Sequence, residues 1–532
     1  MQTVSLSNKR PSAKVPRLRL FALGLGLAVL AGCAGPSESP ARMSRMKPFT
    51  PTDHEAAASV LRAGFGEISE KAIVEPALDR LFLAGYRDYW HFDPTLSFGA
   101  DADRLTLVGA GGEIIASLDR PAPQNLKGWV DVTIQLFESA RYSSNVARYA
   151  DAESLYAVMF DAALAQIDKY SRYSGRRAAR TNREIRNGFV GLGFTFDIMS
   201  DGIVVRSVSE NGPVAEAGIN PGDVILAIDG QSTAGLGRDG IQKLVSGPPQ
   251  TVVRLSLRRA GDDSVASAEA RRGLIILHTV HASATGGIGR IEISAFNLRT
   301  ATDVAEAVKR LKEDGVAGLV LDLRNDPGGL LDQGVEVADL FLDGGAIASL
   351  SGRHPGAKQF YEARPGDIAG GLPIIVLIDG KSASAAEILA AALSDNGRAV
   401  TVGTTSLGKG SVQTLIRLPN DGELALTWSH SWSPNGYLIQ GLGVLPAVCT
   451  SGFSGPLADA AAGVFRDRAE TATGREAWRH ADAPGSDRAT LRDLCPAESR
   501  AHRDVDHLIA ERLLADRAFY AKAVGTSVAA SP

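Results

Sequence analysis

Ser384 stands in Ser382-Ala383-Ser384-Ala385-Ala386-Glu387, after an apolar run over 373–378 and at the mouth of a helical stretch over 385–393. A serine at such a strand-to-helix junction projects its oxygen from the sheet edge. The next amide, on Ala385, lies at a helix N-terminus, where the dipole and a free N–H favour a developing oxyanion. The same residues also fit a plain capping box, Ser384 to Glu387. A nucleophilic serine needs a base. The chain has no Gly-x-Ser-x-Gly elbow, and none of its 9 histidines sits in a recognisable catalytic setting. Lys409, in Gly403-Thr404-Thr405-Ser406-Leu407-Gly408-Lys409-Gly410-Ser411-Val412-Gln413, can serve if burial brings its amine towards neutrality. Even spacing in an extended segment puts Gln413 on the same face. Gly403 to Lys409 also approaches a phosphate-binding loop, but Gly410 replaces the Ser or Thr that would hold magnesium, and a strand over 412–418 follows instead of a helix. Arg324-Asn325-Asp326-Pro327-Gly328-Gly329 follows a buried strand over 316–323, a place where glycines let backbone approach a ligand; alone it is a strand-to-helix turn.

A second chemistry is carried by backbone. Gly191-Leu192-Gly193-Phe194 opens a β-rich stretch, and glycines there let consecutive N–H groups form an anion nest suited to a terminal carboxylate. Strand-like runs over 203–208, 224–228 and 252–257 follow. Between them lie a single helical turn at Pro213 to Gly218 and the segment Asn220-Pro221-Gly222-Asp223 to Asp229-Gly230.

The elements that position these residues follow from pattern. At 532 residues the chain holds several units, and 44% apolar with 22% charged residues supports sizeable cores. A net charge of −4 leaves no nucleic-acid footprint. Residues 54–184 read as mainly helical, with 152–169 at helical spacing and strand-like pieces at 105–107 and 114–118; 185–272 is the β-rich unit. Residues 273–450 alternate strands (288–293, 316–323, 373–378, 399–402) with helices (300–313, 330–342, 385–393), an α/β pattern with a mainly parallel sheet. Thr300 and Asp303 read as a capping pair. Residues 451–532 are Ala- and Arg-rich and helical.

The N-terminus reads as a leader. Lys9, Arg10, Lys14, Arg17 and Arg19 precede a short apolar run over 20–30, too short to span a membrane as a mature helix. Leu30-Ala31-Gly32-Cys33 resembles the lipobox of bacterial lipoproteins, which implies cleavage after residue 32, lipidation of Cys33 and a tether over 34–53. Ala34 in place of Asp points, by the same resemblance, to the outer membrane of a cell envelope and a periplasm-facing protein. Cys449 and Cys495 then remain; two cysteines in an oxidising compartment can pair, although nothing in the sequence brings them together.

The β-rich unit resembles a PDZ domain, and from about residue 150 to 447 the order of motifs resembles the C-terminal processing (tail-specific) peptidases, serine peptidases of the S41 type. Ile167-Asp168-Lys169-Tyr170-Ser171-Arg172-Tyr173, Ser433-Pro434-Asn435-Gly436 and Ile439-Gln440-Gly441-Leu442-Gly443-Val444 belong to the resemblance. It implies a crotonase-like, ClpP-like α/β protease core with an inserted PDZ domain and helical N- and C-terminal regions. It implies Ser384 as nucleophile, Lys409 as base, Gln413 orienting that base, and the amides of Gly329 and Ala385 as the oxyanion hole. Gly191, Leu192, Gly193 and Phe194 would hold the substrate C-terminus. No metal or organic cofactor is required, and the implied partners are proteins with apolar C-termini and an envelope adaptor. The chain departs from the family pattern at Lys169, where the family has proline, and at Ala447, where it has aspartate. A binding scaffold with an inert core and a crotonase-type acyl-CoA enzyme are the rival readings; export and the PDZ unit disfavour the second.

Overall fold

The computed structural model describes residues 51–209, 212–262, 264–453, 468–482, 486–500 and 504–525, all within one compact unit, Pro48–Pro532. The leader, Cys33 and the tether up to residue 50 lie outside the described residues. Among the described residues no helix is long and apolar enough to cross a membrane.

The chain enters through α1 (Pro51–Lys71), which takes over the last residues expected of the tether, and α2 (Leu78–Phe92). An antiparallel sheet of β1 (Leu96–Ala100), β2 (Arg104–Gly109) and β3 (Ile114–Asp119) follows, then α3 (Leu126–Ser143), α4 (Asn145–Tyr149) and α5 (Ala152–Ala165). Aromatic side chains hold this region together: the Phe65 and Phe82 ring centroids are 4.0 Å apart, and Phe82 lies 5.7 Å from Trp129. Helix α5 stops short of the expected 169. Asp168 accepts hydrogen bonds from the Tyr170 and Ser171 amides at 2.9 and 2.6 Å and turns the chain instead.

Next come β4 (Arg172–Ser174), α6 (Arg176–Asn187) and β5 (Phe189–Gly191), which pairs with β12 (Gly273–Ile275) where the chain leaves and rejoins the core. Between them the β-rich unit holds β6 (Phe194–Ile198), β7 (Ile203–Val208), α7 (Pro213–Glu216), β8 (Val224–Ile228), β9 (Gln231–Ser232), α8 (Arg238–Val245), β10 (Val252–Arg258) and β11 (Val265–Arg271). Its sheet runs β11-β10-β8-β7-β6, leaving β6 at an edge. Alternation puts Ile203 and Val205, and Val253, Leu255 and Leu257, inside. Helix α8 escaped the pattern because Gly240 interrupts it; burial of Ile241 and Val245 stabilises it nonetheless.

The core is built from β13 (Val280–Thr285), β14 (Ile288–Ile293), α9 (Thr300–Glu313), β15 (Gly318–Asp322), α10 (Leu331–Phe341), β16 (Ala346–Ser351), β17 (Gln359–Glu362), β18 (Ile374–Ile378), α11 (Ala385–Asp395), β19 (Ala399–Gly403), β20 (Ser411–Arg417), β21 (Glu423–Trp432) and β22 (Val448–Cys449). One sheet runs β13-β14-β15-β18-β19-β22, parallel except at β13–β14. The central strands β15, β18 and β19 are buried at every position, because both faces of the sheet are covered there. Leu319, Leu321, Ile374 and Val376 pack with α9, α10 and α11, whereas Val320, Ile375, Leu377, Val400 and Val402 meet Val505, Ile509, Leu513 and Ala523. Those last four belong to the C-terminal helices, which comprise α12 (Arg468–Arg479), α13 (Arg488–Arg492), α14 (Asp504–Ala515) and α15 (Arg517–Gly525). The expected Thr300–Asp303 cap is absent. Thr300 Oγ1 accepts from the Asn297 amide at 2.9 Å, and Asp303 pairs with Arg299.

A second, antiparallel sheet, β17-β16-β21-β20 with β4 on β21, went unforeseen. Polar residues buried along β21, among them Thr427, Ser429 and Ser431, mask it in the sequence. Leu424 and Leu426 of β21 join the aromatic core of the N-terminal helices, which thereby brace the sheet that follows Lys409.

Candidate active site

Three segments distant in sequence meet at the C-terminal ends of the parallel strands. The first is the turn after β15. Gly328, at φ 89°, packs so closely that a Cβ there would fall 2.7 Å from Ser384 Cβ and 2.9 Å from the Ala385 nitrogen. The turn is pinned to Phe296, whose amide donates to Gly328 O at 3.1 Å and whose carbonyl accepts from Leu330 N at 2.8 Å. This bridge bypasses the Gly329 amide, which has no partner among the described residues. Asp326 is buried and receives the Gly328 amide at 2.7 Å; burial pushes its carboxyl up to about 8.

The second segment carries Ser384. Asp379 gathers the amides of Asn325 (2.9 Å) and Lys381 (3.0 Å), and the Ser382 hydroxyl donates to Leu323 O at 2.7 Å, so the loop after β18 is tied to the loop after β15. Ser384 is the N-cap of α11 and forms the capping box with Glu387, as the sequence allowed. It is more than a cap. Its φ of 57° and ψ of −117° put a non-glycine residue in a conformation that costs about 1–3 kcal/mol, a kind of strain that clusters at functional sites. The Ala385 amide heads α11 and, like that of Gly329, has no partner among the described residues.

Lys409 comes from the third segment, the turn between β19 and β20. Together with Ser384, Gly328, Gly329 and Gln413 it lines one cavity of about 280 Å³. The amine makes no ion pair with a carboxylate among the described residues and lies 5.7 Å from the centre of the Tyr170 ring. Burial, the largest influence, and the charge of Arg172 lower the Lys409 pKa; Glu387 and Asp168 pull it back. The net direction favours a neutral amine, the form that takes a proton.

Gln413 lines the same cavity as Lys409, but strand alternation does not link the two: β20 begins only at Ser411, and a bulge at Trp428 of β21 faces Val412 and Gln413. Its side-chain nitrogen donates to Ser411 Oγ and Thr427 Oγ1, both at 3.1 Å, and no bond to Lys409 occurs among the described residues.

Glu387 joins the nucleophile segment to the base segment, a role that sequence reasoning missed. Fully buried, its Oε2 accepts the Ser384 amide and the Lys409 amide, both at 2.8 Å, while Oε1 accepts the Ser406 hydroxyl at 2.5 Å and the Gly408 amide at 2.7 Å. Burial, the largest influence, holds its carboxyl above the ordinary carboxylate range, and these four donors oppose that rise. The Ser-x-x-Glu spacing announced the capping half of this role; nothing local announced the other half. Tyr170 and Arg172 were likewise quoted only as part of a motif, and Arg172 proves to line the cavity.

At the β-rich unit, Gly193 takes φ 76°, and the Leu192 and Gly193 amides have no partner among the described residues. Their carbonyls accept from Val214 N at 3.1 Å and Ser209 N at 2.8 Å. Beside them the edge strand β6 is open to a further strand.

Two family models match the chain: peptidase family S41 over residues 287–449 and the PDZ domain over 183–258. The carboxy-terminal-processing protease of Bartonella bacilliformis is 36% identical over 318 residues, covering 59% of this chain and 73% of that one. The carboxyl-terminal-processing protease of Synechocystis is 36% identical over 262 residues, covering 48% of this chain and 61% of that one. Among solved structures, the photosystem II D1 C-terminal processing protease covers 74% of this chain and 92% of that one, with 21% identity and a TM-score of 0.36. Catalytic segments, PDZ unit and relatives agree: the chain belongs to peptidase family S41, as a PDZ-containing carboxy-terminal-processing serine peptidase.

Proposed function

We propose that the protein is an endopeptidase of the cell envelope that captures protein C-termini on its PDZ domain and cuts peptide bonds with Ser384, using Lys409 as general base. The observation that carries this reading is the single carboxylate of Glu387, which ties the backbone of the nucleophile to the backbone of the base at 2.8 Å each, beside a cavity both side chains line.

A substrate tail adds to the β6 edge with its carboxylate at the Leu192 and Gly193 amides. An upstream segment enters the core cavity. Neutral Lys409 takes the proton from Ser384 Oγ as that oxygen attacks the scissile carbonyl, and the amides of Gly329 and Ala385 receive the oxyanion. Collapse expels the amine, which takes the proton from Lys409, and leaves an acyl ester on Ser384. Lys409 then deprotonates a water that hydrolyses the ester. The reading of residues 1–33 as a lipoprotein leader with Cys33 as the acylated residue supports a periplasm-facing, outer-membrane site, and a disulfide between Cys449 and Cys495 fits an oxidising compartment.

The test is degradation of an unstructured protein with an apolar C-terminus. The parent should consume it, and Ser384→Ala should not. Equal rates would leave only a binding scaffold.

A further inference from the structure

The segment 486–500 lies outside both family matches, yet it touches each catalytic loop. On the nucleophile loop, Gly380 N donates to Glu498 O and Arg500 N donates to Asp379 Oδ2, both at 2.7 Å. Gly380 has no room for a side chain, since a Cβ there would meet Glu498 N at 3.0 Å. On the base loop, Thr404 Oγ1 exchanges hydrogen bonds with the backbone of Glu498 at 3.1 Å, and the Arg492 guanidinium donates to Ser406 O at 3.2 Å and to Leu442 O. Ser406 is the residue whose hydroxyl binds Glu387. The segment is fastened covalently: Cys495, fully buried, is bonded to Cys449 on β22, the neighbour of the strand that leads into the Lys409 turn.

We propose that residues 486–500 are a strap that sets the register between the nucleophile and base loops, with the Cys449–Cys495 disulfide as its anchor and Arg492 as a positioning residue; the inference rests on the Ser384–Lys409 reading. The strap acts on backbone beneath the dyad. Its release therefore changes turnover while leaving tail capture on the PDZ domain untouched, and it admits water to the Lys409 amine. A protein whose cysteines are still reduced is accordingly slow, and disulfide formation completes the site.

The experiment uses the full chain, oxidised and after reduction under native conditions with thiols counted. Steady-state cleavage is measured across pH, with binding of a C-terminal peptide measured separately. Reduction should lower kcat about tenfold or more, since displacing a catalytic group by even 1 Å costs about 10²-fold, with KM and peptide affinity unchanged. The acid limb of the kcat profile should move to higher pH. The Cys449→Ser, Cys495→Ser double variant should be slow and indifferent to reductant. Arg492→Ala should be slow, and Arg492→Lys should recover much of the loss. An oxidised parent no faster than Ser384→Ala would overturn the peptidase reading and this inference with it. An active parent whose kcat survives reduction, or whose KM alone changes, would overturn the strap while leaving the peptidase reading intact.

Discussion

In the proposed mechanism the PDZ domain and the protease core both meet a negatively charged oxygen with unpartnered backbone amides, but they assemble those amides differently. In the PDZ domain the Leu192 and Gly193 amides come from one short loop and the docking edge is the next strand. In the core, Gly329 and Ala385 follow different strands, and Lys409, the proposed base, follows a third. A site for capture can be local, because it only has to bind. A site for chemistry has to hold several groups in mutual register, and here a buried carboxylate does the holding. Damage to the core should therefore appear in kcat, and damage to the PDZ domain in KM.

The largest effect that would sharpen this contrast is at Glu387. Each of its oxygens accepts two donors, so the NH₂ group of Glu387→Gln must face two of them in either orientation. We expect kcat to fall about 10²-fold or more with KM unchanged, measured by steady-state cleavage. A rise in KM alone would break the contrast. On the other side, Gly193→Val imposes a branched side chain at φ 76° with a Cβ 3.0 Å from Ile275 Cδ1. It should raise KM about tenfold, roughly 1.4 kcal/mol of binding, with kcat retained. The gentlest test is Arg172→Ala. Its charge lowers the Lys409 pKa, so its removal should raise that pKa and move the acid limb of the kcat profile to higher pH. A shift to lower pH would contradict the electrostatic reading.

The difference between local and assembled sites also decided what could be read in advance. Strands β14 and β18 and helix α9 were visible because their apolar patterns are continuous and their ends fall at turn residues. Ser384, Lys409 and the Gly328–Gly329 turn were visible because each sits at a strand end with a chemical reason for its residue type. Glu387 was legible only as a cap, since its bonds to Ser406, Gly408 and Lys409 cross sequence distance that no periodicity spans. Gln413 does line the cavity with Lys409, but alternation could not establish it, because Lys409 lies ahead of the start of β20. The second sheet hid behind buried hydroxyls, and the C-terminal helices gave no hint that they cover the back of the parallel sheet or that Cys495 reaches Cys449.

The proposed cleavage requires an uncharged amine at position 409 to take the Ser384 proton. Lys409→Arg keeps a long cationic side chain at the site but cannot give up its proton at working pH. Cleavage by this variant should fall at least about 10³-fold, to the level of Ser384→Ala. Turnover within about tenfold of the parent, in a variant that still binds C-terminal peptide, would contradict the dyad.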